Sequence, residues 1–413
     1  MAMRHISTVI IGAGQAGLAM SKCLSDRSVA HVVIERGEVA NSWAKERWDS
    51  LRLLTPNWQS RLPGHCYAGA DPDGFMSMPQ VTGYLRDYAE KISAPVQECT
   101  TVIEVTVSGF GYHVQTDRGA WTCESLVLAS GACARASVPQ IAGDMPAGIA
   151  QLTPQDYKTP DQIAPGGVLV VGASASGVQI AAELLAAGHD VVVSAGAHIR
   201  VPRHHRGRDT QWWMTQSGLS DTHFTEVDDI ARARAVPSLQ LVGDARMAFL
   251  DLNYLQGQGA EIVGRFAGLR HGVAQFSGSL ANQCSLSDLK MRRLLRSFDD
   301  WAETQGLTDF PAPPDHPMTN VPQNPRLTLD LARGRIRTVI WATGFRPDYS
   351  FARLPVFDRK GALRHTGGVV GPGLYVLGLP FQIRRHSALI DGVGQDASEI
   401  ADHLVQYQKH QAA

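Results

Sequence analysis

The sequence predicts an α/β protein of two Rossmann-like dinucleotide-binding domains, the second inserted in the first. Three observations lead there. A glycine-rich turn at 12–17 lies between a short apolar run and an amphipathic stretch; the same arrangement returns at 172–177; and apolar runs at 126–130 and 339–343 each lead into a glycine. Parallel strands covered on both faces read as short continuous Val/Ile runs, and their crossover helices carry an apolar stripe at i, i+3, i+4, i+7.

Taken in order, 8–11 is the first strand, and the helix from about Gln15 has Ala16, Ala19, Met20 and Cys23 on one face; a second strand covers 31–35. Later, 168–171 is a strand, Val178, Ala181, Ala182 and Leu185 share a helical face, and 190–194 is the next strand. The run 311–325, rich in Pro and Asn, reads as a connection. The simplest division gives the first domain 1–159 and 326–413, and the second 160–325.

The glycines carry the chemistry. In GAGQAG, Gly12 permits the tight turn and Gly14 lets the backbone approach a diphosphate. Gly17 allows the helix to press on the strand, while Gln15 and Ala16 open the helix and offer first-turn N–H groups to phosphate oxygens. Glu35, at the end of the next strand, is placed to accept hydrogen bonds from ribose hydroxyls. The second box, GASASG, keeps Gly172 and Gly177, with Ser176 inside the turn and Ser174 in place of the middle glycine. Ser174 is small and adds a hydroxyl donor. The second strand of this unit ends at Ser194, not at an acid, so no carboxylate repels a 2′-phosphate. Arg203 and Arg206, within the cluster Arg200 to Arg208, are suited to grip that phosphate, which favours NADPH and leaves NADH as the alternative.

Composition narrows the remaining choices. A length of 413 residues suits two or three domains, and a net charge of −1 gives no global field to recruit nucleic acid or an anionic membrane. Six cysteines without a CxxC pair exclude a disulfide framework and disulfide-reductase chemistry, and fit a reducing cytoplasm. No metal is expected, because the one adjacent His pair, His204-His205, lies in an arginine-rich run. A hydrolase elbow is excluded by Ser176, which stands where that motif needs glycine.

With these pieces placed, the chain resembles the flavin-containing monooxygenase superfamily, most closely its YUCCA-type and related bacterial single-chain branches. The resemblance rests on GAGQAG, GASASG, ATGFRPD at 342–348, WAKERWDSLRLLTPNW at 43–58 and GLYVLG at 373–378. It implies FAD held between the first and last segments, and NADPH on the inserted domain with its nicotinamide facing the flavin. It further implies that Arg36, Trp43 and Arg52 line the path from adenosine to flavin, that Asn57 lies near the isoalloxazine, and that Gly344, Gly378 and Asp391 border the cofactors. Asn57, Asp156 and Tyr157 are the candidate catalytic residues, and Thr55, Gln80, Arg384 and His386 are candidates for lining the reactive cavity. Trp212-Trp213 either shapes a substrate pocket or packs a core.

The reaction implied is insertion of one oxygen atom from O2 into a small organic substrate through a flavin C4a-(hydro)peroxide; a homodimer is compatible with it. The chain departs from the superfamily fingerprint FxGxxxHxxx(Y/F): Ala147, Ile149 and Thr153 replace Phe, Gly and His, and Tyr157 survives, followed by Lys158. That departure keeps open an NAD(P)H:acceptor oxidoreductase that does not oxygenate, and a flavin-binding sensor that does not turn over.

Overall fold

The computed structural model describes residues 3–109, 111–246 and 249–412. Its first large sheet runs, in spatial order, Val369–Gly371, Leu374–Val376, Ser125–Leu128, Thr8–Ile11, His31–Ile34 and Val96–Gln97. All neighbours are parallel except the hairpin of the first two. The central sequences TVII, HVVI and SLVL are buried along their whole length. Alternate residues serve opposite faces, as the strand period of two requires. Ile10, Val33 and Val127 pack under Leu18, Leu85 and Ile400 of helices Gln15–Ser25, Met78–Lys91 and Val393–Ala412. Val9, Val32 and Leu126 face Val105 and Val114 of a four-stranded sheet built from 3–5, 102–108, 111–116 and 119–123.

The second large sheet is wholly parallel, in the order Ala150–Leu152, Ile336–Trp341, Gly167–Val171, Val191–Ala195, Glu261–Gly264. Val168, Val170 and Ile340 meet Val178, Leu184 and Leu280 of helices Ala175–Ala186 and Leu280–Thr304. Leu169, Val171 and Val339 face Ala274, Phe276 and Leu329 of a three-stranded antiparallel sheet.

The second sheet reaches beyond 160–325. Ala150–Leu152 and Ile336–Trp341 lie outside those bounds in sequence, yet Ile336–Trp341 pairs directly with Gly167–Val171 at the sheet's middle. The strand leading into Gly344 thus lies beside the strand leading into the second glycine box. Long-range pairing, which local periodicity does not encode, decides sheet membership. Among the described residues no helix is long and apolar enough to cross a membrane.

Candidate dinucleotide sites

Both glycine turns take the same shape. Gly12 and Gly172 have φ of +109° and +116°, a region closed to most L-residues. A Cβ on Gly12 would stand 2.5 Å from the Ala129 carbonyl oxygen, and one on Gly172 2.2 Å from that of Ala342. A Cβ on Gly17 or Gly177 would lie 1.8 or 2.0 Å from the carbonyl oxygen of its own box's first glycine. Helix and strand therefore approach as closely as backbone allows. Gly14 differs: among the described residues nothing lies within 4 Å of its would-be Cβ. Open space stands where the phosphate chemistry requires it. Gly14 (φ −84°, ψ −171°) and Ser174 (φ −85°, ψ −174°) cap their helices with the same backbone, so serine fits without strain. The Ser174 hydroxyl makes no capping bond to its own helix.

The two strand ends explain each other as well. Ala129-Ser130-Gly131 presses against the first box and Ala342-Thr343-Gly344 against the second, with Gly131 and Gly344 at φ of +88° and +93°. Each box thus meets the backbone of the adjacent strand end, and at the second box the Ala342 Cβ lies 3.4 Å from a Cβ built on Gly177.

A cavity of about 440 Å³ opens at the first box, within the size range of small-molecule sites. Of the expected residues, Gly12, Gly14, Gln15, Ala16, Glu35, Arg36, Trp43 and Gly378 line it. The Glu35 carboxylate accepts from Ala13 N at 2.8 Å and from Gly37 N at 3.1 Å, which fixes the turn beside the cavity that Glu35 lines. Trp43 Nε1 donates to Gln15 Oε1 at 3.0 Å, and Gln15 Nε2 donates to the Ala388 carbonyl at 3.4 Å. A side-chain relay therefore ties the helix start to the C-terminal segment. Arg36 pairs with Glu46 across the rim. Gly17 lies behind the turn, packing helix on strand. Asp348, the last residue of ATGFRPD, also lines the cavity, and sequence reading missed segments 100–103 and 132–134 with Ser350 and Phe351. These belong to strand ends and loops without a motif; only their position relative to the first sheet could reveal them.

Other expected residues stand elsewhere. Arg52 Nη1 donates to the Phe75 carbonyl at 2.9 Å, outside the cavity lining. Asn57 is buried; its Nδ2 donates to the Asp71 carbonyl at 2.8 Å, and its Oδ1 has no partner among the described residues. Asp391 forms a two-pronged ion pair with Arg61, at 2.6 and 3.0 Å. His386 Nε2 is 3.1 Å from Asp221, Gln80 completes a capping box with Ser77, and Arg384 pairs with Asp396 and Glu399.

Four assignments need correction. Asp156 is an exposed turn acid, accepting from Thr153 N at 2.9 Å and Thr153 Oγ1 at 2.7 Å. Tyr157 is fully buried in the second core beside Trp48, away from the cavity; burial raises its hydroxyl pKa, and its neighbour Lys158 donates to the carbonyls of Lys45, Arg47 and Gln155. Together they brace the junction between the sheets. Arg203 is 1% exposed: it pairs two-pronged with Asp209 at 2.6 and 2.8 Å, donates to the Leu54 carbonyl at 2.8 Å, and covers the Phe75 ring. Arg206 donates to the Pro311 carbonyl at 2.8 Å and pairs with Asp299 at 3.3 Å. All three nitrogens of the Arg203 guanidinium are engaged, and Arg206 spends Nε and Nη1 on these contacts. The tryptophan pair is packing, since Trp213 is fully buried against Phe298 and its Nε1 donates to the His205 carbonyl at 2.7 Å.

The register corrects one more position. Ile11 pairs with Ile34 and Val171 with Ser194, so the residue matching Glu35 is Ala195, not Ser194. Ser194 is buried and donates to the Gly264 carbonyl at 2.9 Å. The absence of an acid at this position still holds.

The family described as pyridine nucleotide-disulphide oxidoreductase matches residues 9–211. A CzcO-like oxidoreductase of Geobacillus kaustophilus is 31% identical over 412 residues, 98% of this chain and 100% of that protein. The indole-3-pyruvate monooxygenase YUCCA6 of Arabidopsis thaliana is 31% identical over 217 residues, about half of each chain (49% and 51%). The solved flavin-containing monooxygenase from Stenotrophomonas maltophilia shares the fold, with a TM-score of 0.67 at 20% identity, over 98% of this chain and 99% of that one. The chain belongs to the family of CzcO-like oxidoreductases.

Proposed function

We propose that this protein is an FAD-dependent, NADPH-using monooxygenase that inserts one oxygen atom of O2 into a small organic substrate, with its second dinucleotide domain inserted in the first. The observation that carries the reading is the paired geometry of the boxes: two helix starts with matching backbone, one open to a cavity of about 440 Å³. The residues fit the cofactor, because the would-be Cβ of Gly14 meets open space and the first helical turn leaves backbone N–H groups without intrahelical partners.

FAD would be held at its diphosphate by the amides of the Gly12–Gly17 turn and at its ribose by Glu35. Gln15, fixed by Trp43 and Ala388, sets the register of the helix start against the C-terminal segment near Gly378. NADPH would be held at its diphosphate by the Gly172–Gly177 turn, with the Ser174 hydroxyl as an added donor. When bound, the flavin accepts hydride from the nicotinamide and activates O2; the chain itself binds, orients and excludes water. Asn57, buried with a free amide oxygen, is the side chain we assign to the flavin end.

The acceptor-reductase reading is supported by one observation. Thr153, at the fingerprint's histidine position, spends its hydroxyl on Asp156 in a turn. The two readings separate by mass balance under 18O2. Oxygenation predicts label in an organic product in proportion to NADPH consumed. Release of all consumed O2 as peroxide with every substrate class tried would overturn it in favour of acceptor reduction.

A further inference from the structure

The cluster Arg200 to Arg206 is committed to protein contacts, which leaves the adenosine end of the second site without its expected cation. Arg200 is as buried as Arg203, paired with Asp251 and Asp288 at 2.5 and 2.6 Å. In a glycine-box unit, the residue ending the second strand meets the 2′ position of the adenosine ribose. Here that residue is Ala195, which offers no polar group, and Gly196 follows it.

A cation arrives from the neighbouring strand. Ala195 pairs with Gly264, so Arg265 leaves Glu261–Gly264 alongside Gly196. A Cβ on Gly196 would lie 3.3 Å from Arg265 Cγ and 3.5 Å from its Cδ. The missing side chain at 196 is therefore what lets the arginine stem lie across the strand end. Arg265 is exposed, and among the described residues its guanidinium has no hydrogen-bond or ion-pair partner. Ser277 N bonds the Arg265 carbonyl at 2.9 Å and holds its backbone.

We infer that Arg265 is the residue that selects NADPH over NADH, reaching the 2′-phosphate from the adjacent strand in place of an arginine in the loop after the second strand. The inference rests on the proposed use of NADPH at the second box. A planar guanidinium free of competing partners can form two charge-assisted bonds to a phosphate, whereas a ribose 2′-hydroxyl gains little from it.

Calorimetric titration of the FAD-loaded protein with NADP+ and with NAD+ tests this without turnover. Arg265→Ala should weaken NADP+ binding by about 10- to 100-fold and leave NAD+ within about twofold; Arg265→Lys should recover part of the loss. Retained flavin and an unchanged melting temperature establish that the variants are folded. Equal weakening of both nucleotides, or no weakening of either, would overturn the role of Arg265 while leaving the second box as a nucleotide site. Failure of the unmodified protein to bind either nucleotide would overturn the NADPH reading itself.

Discussion

Gly14 and Arg203 show opposite limits of what single residues disclose. Glycine roles are local: a positive φ, or a backbone oxygen 1.8 Å from a would-be Cβ, follows from a turn that the six-residue motif already specifies. Gly14→Asp places a carboxylate where a diphosphate would lie but meets open space in the protein. It should weaken FAD binding by more than about 100-fold, about 3 kcal/mol, and leave the unfolding midpoint of the flavin-free chain unchanged. A yellow, fully loaded variant would count against the placement. The role of Arg203 was not legible, because Asp209, Leu54 and Phe75 converge on it only after folding. Removing one partner of a buried ion pair leaves the other charge uncompensated. Arg203→Ala should therefore cost about 3–5 kcal/mol in urea unfolding. The ratio of NADP+ to NAD+ affinity should stay as it is; a selective loss of NADP+ would restore Arg203 as a phosphate ligand.

At the scale of elements, strands and helices followed from Val/Ile runs and apolar stripes, whereas their partners did not. The run at 339–343 was recognisable as a strand leading into glycine, but its place beside Gly167–Val171 depends on pairing between residues about 170 apart in sequence. Trp212-Trp213 likewise left pocket and packing open until helix Leu280–Thr304 brought Phe298 and Trp301 against them. Trp213→Ala should cost about 3–5 kcal/mol, through lost burial and the cavity left behind. A loss below about 1 kcal/mol would mean the cluster is not core. The final helix, Val393–Ala412, supplies a pH-dependent term. Asp396 is fully buried, and its carboxyl pKa is pushed up to about 6, chiefly by burial against the opposing pull of Arg384 at 3.0 Å. A raised carboxyl pKa means the fold favours the neutral form. The contribution is complete below the ordinary carboxylate range and fades as pH rises through about 6. In Asp396→Asn the melting temperature should vary less across that window; a slope matching that of the unmodified protein would refute the assignment.

For the whole molecule, the two large sheets place two glycine-box helix starts of matching backbone in one chain, joined by the Tyr157-Lys158 brace and by Arg203 reaching the Leu54 carbonyl. The repeat of box, helix and second strand made this architecture readable from sequence, and register refined it, moving the 2′ position from Ser194 to Ala195. The central claim is that one chain holds a flavin and a nicotinamide dinucleotide close enough to exchange electrons. Anaerobic titration of the FAD-reconstituted protein with NADPH tests it most directly. One FAD bound per chain, bleached by one equivalent of NADPH, is the predicted result. A chain that stays colourless after incubation with FAD, or a bound flavin that neither nicotinamide cofactor reduces, would contradict it.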